Sequence, residues 1–374
     1  MANIIDYLKW RGDLPFSKSK PNDIDIIIFS QLVLLDLKGC VPYKTTKDLY
    51  SCAEKYFSLK KHKKTLGYII PDEVNELFSL MAKSERFKNL ELSHYKEDID
   101  AEVETQFSAI TIDAKDISTK FVVFSGTDDT LVGWKENFNL IYKTPTESQI
   151  QSVKYLNTVA KNYSGKIVVL GHSKGGNLAI YSSSNCEESV RIKIKKIFNL
   201  DGPGIFEVDE AENIYRNIQK KVVAILPQSS VIGRLFEHDC TRIIVDSKEK
   251  GLLQHDCFSW QVRGTELITE NEFSNESSSV DSSLRNILAS LPKENREIFV
   301  ETVFSLFYST GATTLTQLTK KGKNLVKLYF KLDKDKRSVL NSVLGKILAD
   351  KSLRKCFAET SKGIKRNNAK KENK

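Results

Sequence analysis

Residues Lys166–Tyr181 read KIVVLGHSKGGNLAIY, and this stretch decides the predicted fold. Ile167–Leu170 is a short apolar run rich in β-branched residues, which predicts a buried strand. After the turn, the letters NLAIY keep an apolar pattern at helical spacing. Between strand and helix lies G-x-S-x-G, formed by Gly171, Ser173 and Gly175. The motif needs a strand before it and a helix after it, so this context predicts a nucleophile elbow.

The elbow assigns a chemical role to the residues around Ser173. The serine is held on a strained turn so that its hydroxyl is exposed, and the flanking glycines avoid a collision of side chains. The helix that starts at Lys174 directs its unpaired N–H groups toward the same place. We therefore expect the Lys174 N–H to donate to a developing oxyanion. The alternative is a glycine-rich turn in which the serine is incidental.

Composition indicates a folded globular protein. The 374 residues are 40% hydrophobic and 28% charged, and the length suits a large core with two or three structural units. The N-terminal stretch is charged and does not resemble a signal peptide, and no run is apolar enough to span a membrane. Six cysteines are scattered without the spacing of a disulfide framework. We expect a cytoplasmic protein.

The net charge of +9 is concentrated near the C-terminus, in KKGKNLVK and GIKRNNAKKENK. One interpretation is a solvated helix followed by a disordered tail. The other is attraction to an anionic membrane surface. The sequence contains no recognisable nucleic-acid-binding motif, so no nucleic-acid partner is expected.

Three regions differ in their periodicity. Residues 1–85 are predicted to be helical, with helices over Asp23–Leu37 and Pro71–Ser84. Residues 86–262 alternate strands with helices, which predicts an α/β fold with a mostly parallel sheet flanked by helices. Residues 263–374 lose the strand signals and form a basic helical region with a tail.

Two local patterns within the middle region are specific. QFSAITIDA and KFVVFSG alternate like strands around a short polar link and predict a hairpin. Thr144, Pro145 and Glu147 occupy the capping, first and third positions of a predicted helix that runs to about Asn162.

A nucleophilic serine needs a histidine as base. The chain has five histidines. His62 lies in a basic stretch, His94 is placed before the predicted sheet, and His172 lies inside the elbow with its side chain directed away from the serine. Of His238 and His255, the second follows the last predicted strand of the sheet, where the base belongs when the chain order is serine, acid, histidine.

The acid is less clearly marked. The loop after the strand KKVVAIL, where the acid is usually found, reads PQSS and has no carboxylate. One strand earlier, IFNL ends directly in Asp201, at the strand edge where ligands bind in such sheets. We assign the acid to Asp201 and keep Asp256, Glu237 and Asp239 as alternatives.

Two further sites are predicted with their alternatives. The loop FSGTDDTLVGW follows an early strand, and Thr127 within it is the expected second oxyanion donor; the alternative is a plain turn. His-Asp-Cys occurs twice, at His238–Cys240 and His255–Cys257. If both lay on neighbouring strands, two histidines and two cysteines could hold zinc, although the spacing is unusual for such a site. The favoured interpretation includes no metal.

These motifs together resemble the Mbeg1-like family, a bacterial family in the α/β-hydrolase superfamily. DYLKWRGDLPF, QFSAIT, GTDDTLVGWKENF, GHSKGGNLAIY, DGPG, PQSSVIG and QHDCFSW carry the resemblance, from residue 5 to about 262. GTDDT is also similar to the oxyanion loop of class 3 lipases, which points to Thr127. Ser125 stands where that loop usually has arginine, Asn137 where the family tends to have aspartate, and Ser229 or Ser230 where the lipase pattern has its acid.

The resemblance implies an α/β-hydrolase fold with helical additions at both ends, and a serine hydrolase of the carboxylesterase or lipase type. Ser173, His255 and Asp201 would form the triad, with Lys174 and Thr127 at the oxyanion. Small-molecule or lipid acyl esters would be the substrates, and no cofactor would be needed. The alternative is a hydrolase fold retained as a binding or membrane-surface scaffold.

Overall fold

A nine-stranded sheet forms the centre of the molecule in a computed structural model that describes residues 2–59, 70–205, 215–236 and 239–372. Its strands are β1 (Lys47–Asp48), β2 (Glu91–Asp100), β3 (Thr105–Ala114), β4 (Thr119–Phe124), β5 (Lys166–His172), β6 (Ile194–Leu200), β7 (Val222–Pro227), β8 (Thr241–Val245) and β11 (Thr269–Glu270). A small ribbon pairs β9 (Val262–Arg263) with β10 (Glu266–Leu267). The spatial order is β1-β2-β3-β4-β5-β6-β7-β8-β11.

The five central strands, β4 to β8, are parallel, and the outer strands pair antiparallel to them. The register aligns Phe124 with Gly171, His172 with Leu200, and Leu200 with Ile225. The carboxyl ends of the parallel strands therefore meet along one side of the sheet, called here the catalytic edge. Ligands of parallel sheets bind at this edge.

Fourteen helices lie within the described residues. They are α1 (Ile4–Arg11), α2 (Asp23–Leu32), α3 (Leu49–Ser58), α4 (Glu73–Lys83), α5 (Leu131–Asn139), α6 (Glu147–Ala160), α7 (Lys174–Asn185), α8 (Glu188–Arg191), α9 (Asn275–Ala289), α10 (Lys293–Tyr308), α11 (Leu315–Lys321), α12 (Leu325–Phe330), α13 (Lys334–Ala349) and α14 (Lys351–Glu372). None of the described helices is long and apolar enough to cross a bilayer.

The helices cover both faces of the sheet, as expected for strands connected by right-handed crossovers. Helices α1 to α4 share a core with one face, in which Phe29 packs on Phe121 with ring centroids 4.8 Å apart. Helices α6 and α7 pack on the other face, where Leu178 and Val169 are fully buried. This three-layer arrangement with a serine elbow after β5 is the α/β-hydrolase fold, as the sequence predicts.

Three local expectations need correction. The helix predicted over Asp23–Leu37 ends at Leu32. The helix predicted to start at Thr144 is capped instead by Thr146, whose side chain and that of Gln149 form a capping box. Strand β2 was not predicted, and His94 lies within it rather than before the sheet. The structure confirms the β3–β4 hairpin, whose link is a short 3₁₀ turn.

Helices α9 to α14, called here the C-terminal helices, contact the loops of the catalytic edge. Helix α14 lies against the turn Gly251–His255, and α9 lies beside the loop after β7. Thr314 pairs with Thr130 in an isolated β-bridge just before α5. The C-terminal helices thus touch the edge where the predicted site residues lie.

Candidate active site

Ser173 lies at the sharp turn between β5 and α7. Its backbone has φ 56° and ψ −128°, a left-handed conformation that non-glycine residues rarely adopt. The turn is held by two backbone bonds: Ser173 N donates to Leu200 O at 2.9 Å, and Gly176 N donates to Ser173 O at 2.9 Å. Strain of this kind persists only when the surrounding structure fixes it, which is typical of a functional turn.

Close backbone approach explains the glycines around the turn. A Cβ atom at Gly171 would collide with the backbone of Gly175, and one at Gly175 would collide with Phe124 O. A Cβ atom at Gly126 would lie 3.3 Å from that of Ser173. The loop after β4 therefore passes directly beside the serine.

His255 and Asp201 meet at the catalytic edge. His255 Nδ1 lies 2.6 Å from Asp201 Oδ2, and the Asp201 side chain is buried while the His255 side chain is partly exposed. An ionised carboxylate can only accept, so the proton of this bond lies on Nδ1. The Nε2 lone pair is then free to take a proton. The Ser173 hydroxyl makes no hydrogen bond with a described residue, so the serine and histidine are not joined directly in this structure.

The carboxylate of Asp201 is surrounded by donors. Ser230 Oγ donates to Asp201 Oδ1 at 2.5 Å, and Gly233 N donates to the same oxygen at 3.2 Å. Ser230 belongs to the loop after β7. The carboxylate that contacts His255 thus follows β6, and the loop after β7 provides a hydroxyl that hydrogen-bonds to it.

The alternative acids lie elsewhere or outside the described residues. Asp256 Oδ1 accepts the Phe258 N–H at 3.0 Å and caps a short turn; burial raises its pKa to about 6. Asp239 accepts from Gln219 at 3.0 Å just before β8 begins, at the sheet edge opposite His255. Glu237 lies outside the described residues.

His172 packs against the imidazole ring of His255. Its ring packs on that of His255 with centroids 4.5 Å apart, and its Nε2–H donates to the His255 carbonyl oxygen at 2.8 Å. Burial, and secondarily the adjacent His255 ring, hold the pKa of His172 well below its usual value. The sequence predicts that His172 points away from the serine, but no sequence pattern indicates its contact with His255.

Two backbone N–H groups near Ser173 have no acceptor. Lys174 N is the first of α7, so no helical carbonyl is available to it. Thr127 N lies in the loop beside Ser173. Neither N–H donates to a described residue. Unpaired N–H groups at such a turn are the donors that an oxyanion requires.

The Lys174 side chain points into the core rather than toward the site. Its Nζ donates to Gln106 O, to Gln106 Oε1 at 2.6 Å and to Glu136 Oε2 at 3.0 Å. Glu136 is itself 1% exposed and also accepts from Ser148 Oγ at 2.6 Å. This buried ion pair connects α5, β3 and α6 to the first residue of the elbow helix. Sequence reasoning missed it because the partners lie 38 residues apart or more.

Asn137 determines how the Thr127 hydroxyl can be used. Asn137 Nδ2 donates to Thr127 Oγ1, so the hydroxyl proton is not engaged by this contact. An aspartate at 137 could only accept and would take that proton. The loop is held further along by Asp128, which accepts the Thr130 N–H at 2.8 Å. The Ser125 hydroxyl donates within the loop to Gly126 O at 3.1 Å, and its backbone N–H donates to Ser108 O of β3 at 2.9 Å.

The C-terminal helices hold all three loops of the site, which the sequence does not reveal. Leu131 N donates to Thr313 O and Leu315 N to Asp129 O, both at 2.9 Å. Ser277 Oγ, on α9, donates to Ser230 O at 2.6 Å. The loop that carries His255 also contacts a C-terminal helix: Leu252 N donates to Thr360 Oγ1 of α14 at 3.1 Å.

The alternative zinc site is not assembled from the described residues. Cys240 packs against the core on one face of the sheet and Cys257 belongs to the core on the other face. His255 is bonded to Asp201, and His238 lies outside the described residues. Among the described residues no cluster of three metal-ligating side chains is present.

Comparison with known proteins gives a family and a set of structures. The family model described as Mbeg1-like matches residues 81–305, which is more than half of the chain. No curated protein sequence matches the chain.

Several solved structures of fungal lipases are similar to the chain. A fungal lipase–inhibitor complex is 15% identical, with a TM-score of 0.36 and coverage of 55% of this chain and 78% of that one. Rhizomucor miehei lipase in its propeptide complex is 14% identical, with a TM-score of 0.34 and coverage of 52% and 65%. A mutant form of MDLA from Penicillium cyclopium is 11% identical, with a TM-score of 0.36 and coverage of 67% and 87%.

Proposed function

We propose that this chain, which belongs to the Mbeg1-like family, is a serine hydrolase that cleaves acyl esters as a carboxylesterase or lipase-like enzyme. The observation that carries the proposal is the 2.6 Å contact between His255 Nδ1 and Asp201 Oδ2 at the edge where the strained Ser173 turn lies. The unpaired N–H groups of Lys174 and Thr127 support it further. An elbow serine, a histidine tautomer fixed by an acid and oxyanion donors are the parts that acyl transfer needs.

The reaction begins with attack of Ser173 Oγ on the ester carbonyl carbon. His255 Nε2 accepts the hydroxyl proton, while Asp201 keeps the other ring proton on Nδ1 and stabilises the imidazolium. Substrate binding must bring Ser173 Oγ and Nε2 within hydrogen-bond distance, since catalytic bonds are often long before a substrate is bound. The N–H groups of Lys174 and Thr127 stabilise the tetrahedral oxyanion. His255 then gives the proton to the leaving alcohol, and the acyl group remains on Ser173. Water attacks this acyl-enzyme through the same two steps and releases the carboxylic acid.

The substrates that we propose are small-molecule or lipid acyl esters, hydrolysed without a cofactor. The triad chemistry alone also fits thioesters and amides, because the same groups act on each acyl carbonyl. We place the activity in the cytoplasm, since all six cysteines are free and a reducing compartment suits unpaired thiols.

Fluorophosphonate labelling with site mapping, followed by hydrolysis of p-nitrophenyl esters of increasing chain length, tests the proposal. Ser173→Ala should abolish labelling and reduce ester turnover by about a thousandfold or more, with an unchanged circular dichroism spectrum. Ser309→Ala removes an exposed serine of α10's C-terminal end and serves as the control, with full labelling expected. Labelling that persists in Ser173→Ala would contradict the assignment.

The acid is tested in the same assay. Asp201→Asn should lower kcat by about three to four orders of magnitude, because the amide can donate to Nδ1 and favour the wrong tautomer. Asp256→Asn, which changes the neighbouring carboxyl, should leave kcat nearly unchanged. A large loss of kcat in Asp256→Asn, with little loss in Asp201→Asn, would assign the acid to Asp256. Wild-type protein that reacts with no fluorophosphonate would favour a hydrolase fold retained as a binding scaffold.

A further inference from the structure

The C-terminal end of the chain differs from the rest in charge. Residues 315–374 contain 18 lysines and arginines and 5 acidic residues, a net charge of +13, whereas residues 1–314 carry −4. Together these give the chain's +9. A positive surface of this density attracts anionic partners regardless of the active site.

The same region exposes large apolar side chains in pairs. On α12, Val326 is 67% and Phe330 66% exposed, and on α13, Leu344 is 39% and Leu348 64% exposed. Within each helix the two residues are four positions apart, so they lie on one face. Single exposed apolar residues are ordinary, but adjacent pairs on an outer helix face indicate an interaction surface.

The two pairs belong to neighbouring parts of one surface. Tyr329 OH donates to Asn341 Oδ1 at 2.8 Å and joins α12 to α13. Phe330 directly follows Tyr329, and Leu344 lies one turn beyond Asn341. Helix α13 is anchored in the protein by two other residues, Leu340 and Val343, which are buried. We call the outward side of α12 and α13 the basic-apolar surface.

Lysines directly follow Val326 and Phe330 in the chain and continue to the start of α13. Lys327, Lys331 and Lys334 are exposed and make no ion pair with a described residue. Lys336 pairs only with its neighbour Asp333, at 3.2 Å. Cations around exposed phenylalanine and leucine are the pattern of helices that lie in the interface of an anionic bilayer.

We propose that the basic-apolar surface of α12 and α13 docks on an anionic lipid bilayer, with Phe330 and Leu348 inserted among the lipids and the lysines on the headgroups. Each lysine near such a surface contributes to binding, and salt screens that contribution. A phosphate backbone of nucleic acid would satisfy the lysines but leave the leucines without an apolar partner. The docking surface stands on its own observations and does not depend on the proposed hydrolase activity.

Vesicle sedimentation of the full chain tests the proposal. Wild type should bind vesicles of phosphatidylcholine mixed with phosphatidylserine, bind vesicles of phosphatidylcholine alone far less, and dissociate as salt is raised. The double variant Phe330→Ser, Leu348→Ser should partition at least about tenfold more weakly, because two apolar side chains no longer leave water.

Ile192→Ser is the matched control, since Ile192 is 65% exposed at the opposite edge of the sheet; it should bind like wild type. Hydrolysis of a short, soluble ester should be equal in all three proteins, so that loss of docking is distinguished from loss of activity. Absence of binding to anionic vesicles, or equal binding by wild type and double variant, would overturn the proposal. So would binding of an RNA or DNA oligonucleotide that phosphatidylserine vesicles do not compete.

Discussion

At the scale of single residues, Asp201 shows how two neighbouring loops share one carboxylate. Asp201 directly follows β6 with φ 47°, and this left-handed backbone carries its side chain to His255. Ser230, in the loop after β7, donates to the other carboxylate oxygen at 2.5 Å. The two loops are adjacent because β6 and β7 pair in parallel. A carboxylate from either loop can therefore reach the same imidazole, while the second loop supplies a donor.

His172 makes the stability of the fold depend on pH. Because its pKa lies below the usual value near 6.5, the unfolded chain binds a proton that the folded protein does not as pH falls. Stability should therefore decrease below pH 6.5, by up to about 1.4 kcal/mol per pH unit until the folded-state pKa is reached. His172→Gln, whose amide can still donate to the His255 carbonyl, should lose this part of the dependence. Urea unfolding at pH 7.5 and 5.5 measures the difference between the proteins.

Other groups near this site titrate in the same range, so only the difference between the proteins is informative. Asp256, with a pKa of about 6 in the folded protein, contributes in the opposite direction, because the folded state then binds the additional proton. It is present in both proteins. Parallel stability curves for wild type and His172→Gln would show that His172 is not held neutral.

At the scale of elements, the turn that carries His255 is supported by α14. Gly251 begins this turn at φ 58°, and a Cβ there would lie 2.8 Å from Thr360 Oγ1 and 3.2 Å from Cys356 O. Arg366 also pairs with Glu249 at 2.8 Å, ahead of the same turn. The position of His255, the base that we propose, thus depends on α14.

Gly251→Ala should both destabilise the protein and reduce turnover. Alanine costs about 1–2 kcal/mol in the left-handed region, and its Cβ would also press the turn away from α14. Gly264→Ala is the matched control, because Gly264 has φ 59° and no atom within 4 Å of a Cβ. We expect the control to lose stability but keep kcat. Equal kcat in both variants, measured with a soluble ester, would show that α14 does not position His255.

The sequence predicts the parts of this site that depend on local pattern. The elbow, its two glycines and the β3–β4 hairpin follow from apolar alternation and spacing, and they are present. Strand β2 could not be predicted because its second half, KEDID, lacks an apolar alternation. This half is charged and half-exposed in the outer region of the sheet. The cap at Thr146 could not be predicted because Thr144 begins an equally good pattern. In the structure, Gln149 completes the capping box with Thr146 and also donates to Asn177 Oδ1 at 2.9 Å.

Contacts between distant segments could not be read from the sequence. Lys174 and Glu136 look like surface charges, and their pairing inside the core appears only when α5 and α7 are placed on the sheet. The contacts between the C-terminal helices and the three loops of the site also join segments that are distant in the sequence. Local spacing carries no information about which helix returns to which loop.

At the scale of the whole molecule, helices α1 to α4 of the N-terminal segment, residues 1–85, act as a layer of the fold. They pack on one face of the sheet, and their core is continuous with it. We propose that the segment is not an independently folding domain, since neither side could leave its apolar face in water. Within this layer, the buried Arg86 joins α2 to the segment before it.

Arg86→Met should destabilise the entire protein in a single transition. The guanidinium is fully buried, contacts Asp25 at 2.8 and 2.5 Å, and also donates to the carbonyl oxygens of Leu14, Ser19 and Lys20. Methionine would leave a buried carboxylate and three carbonyls without their donor, at a cost of about 3–5 kcal/mol. Lys9→Met, which breaks the exposed pair with Glu76, should leave the urea midpoint unchanged. Separate unfolding of residues 1–85, seen as a second transition by hydrogen exchange, would contradict the single-layer interpretation.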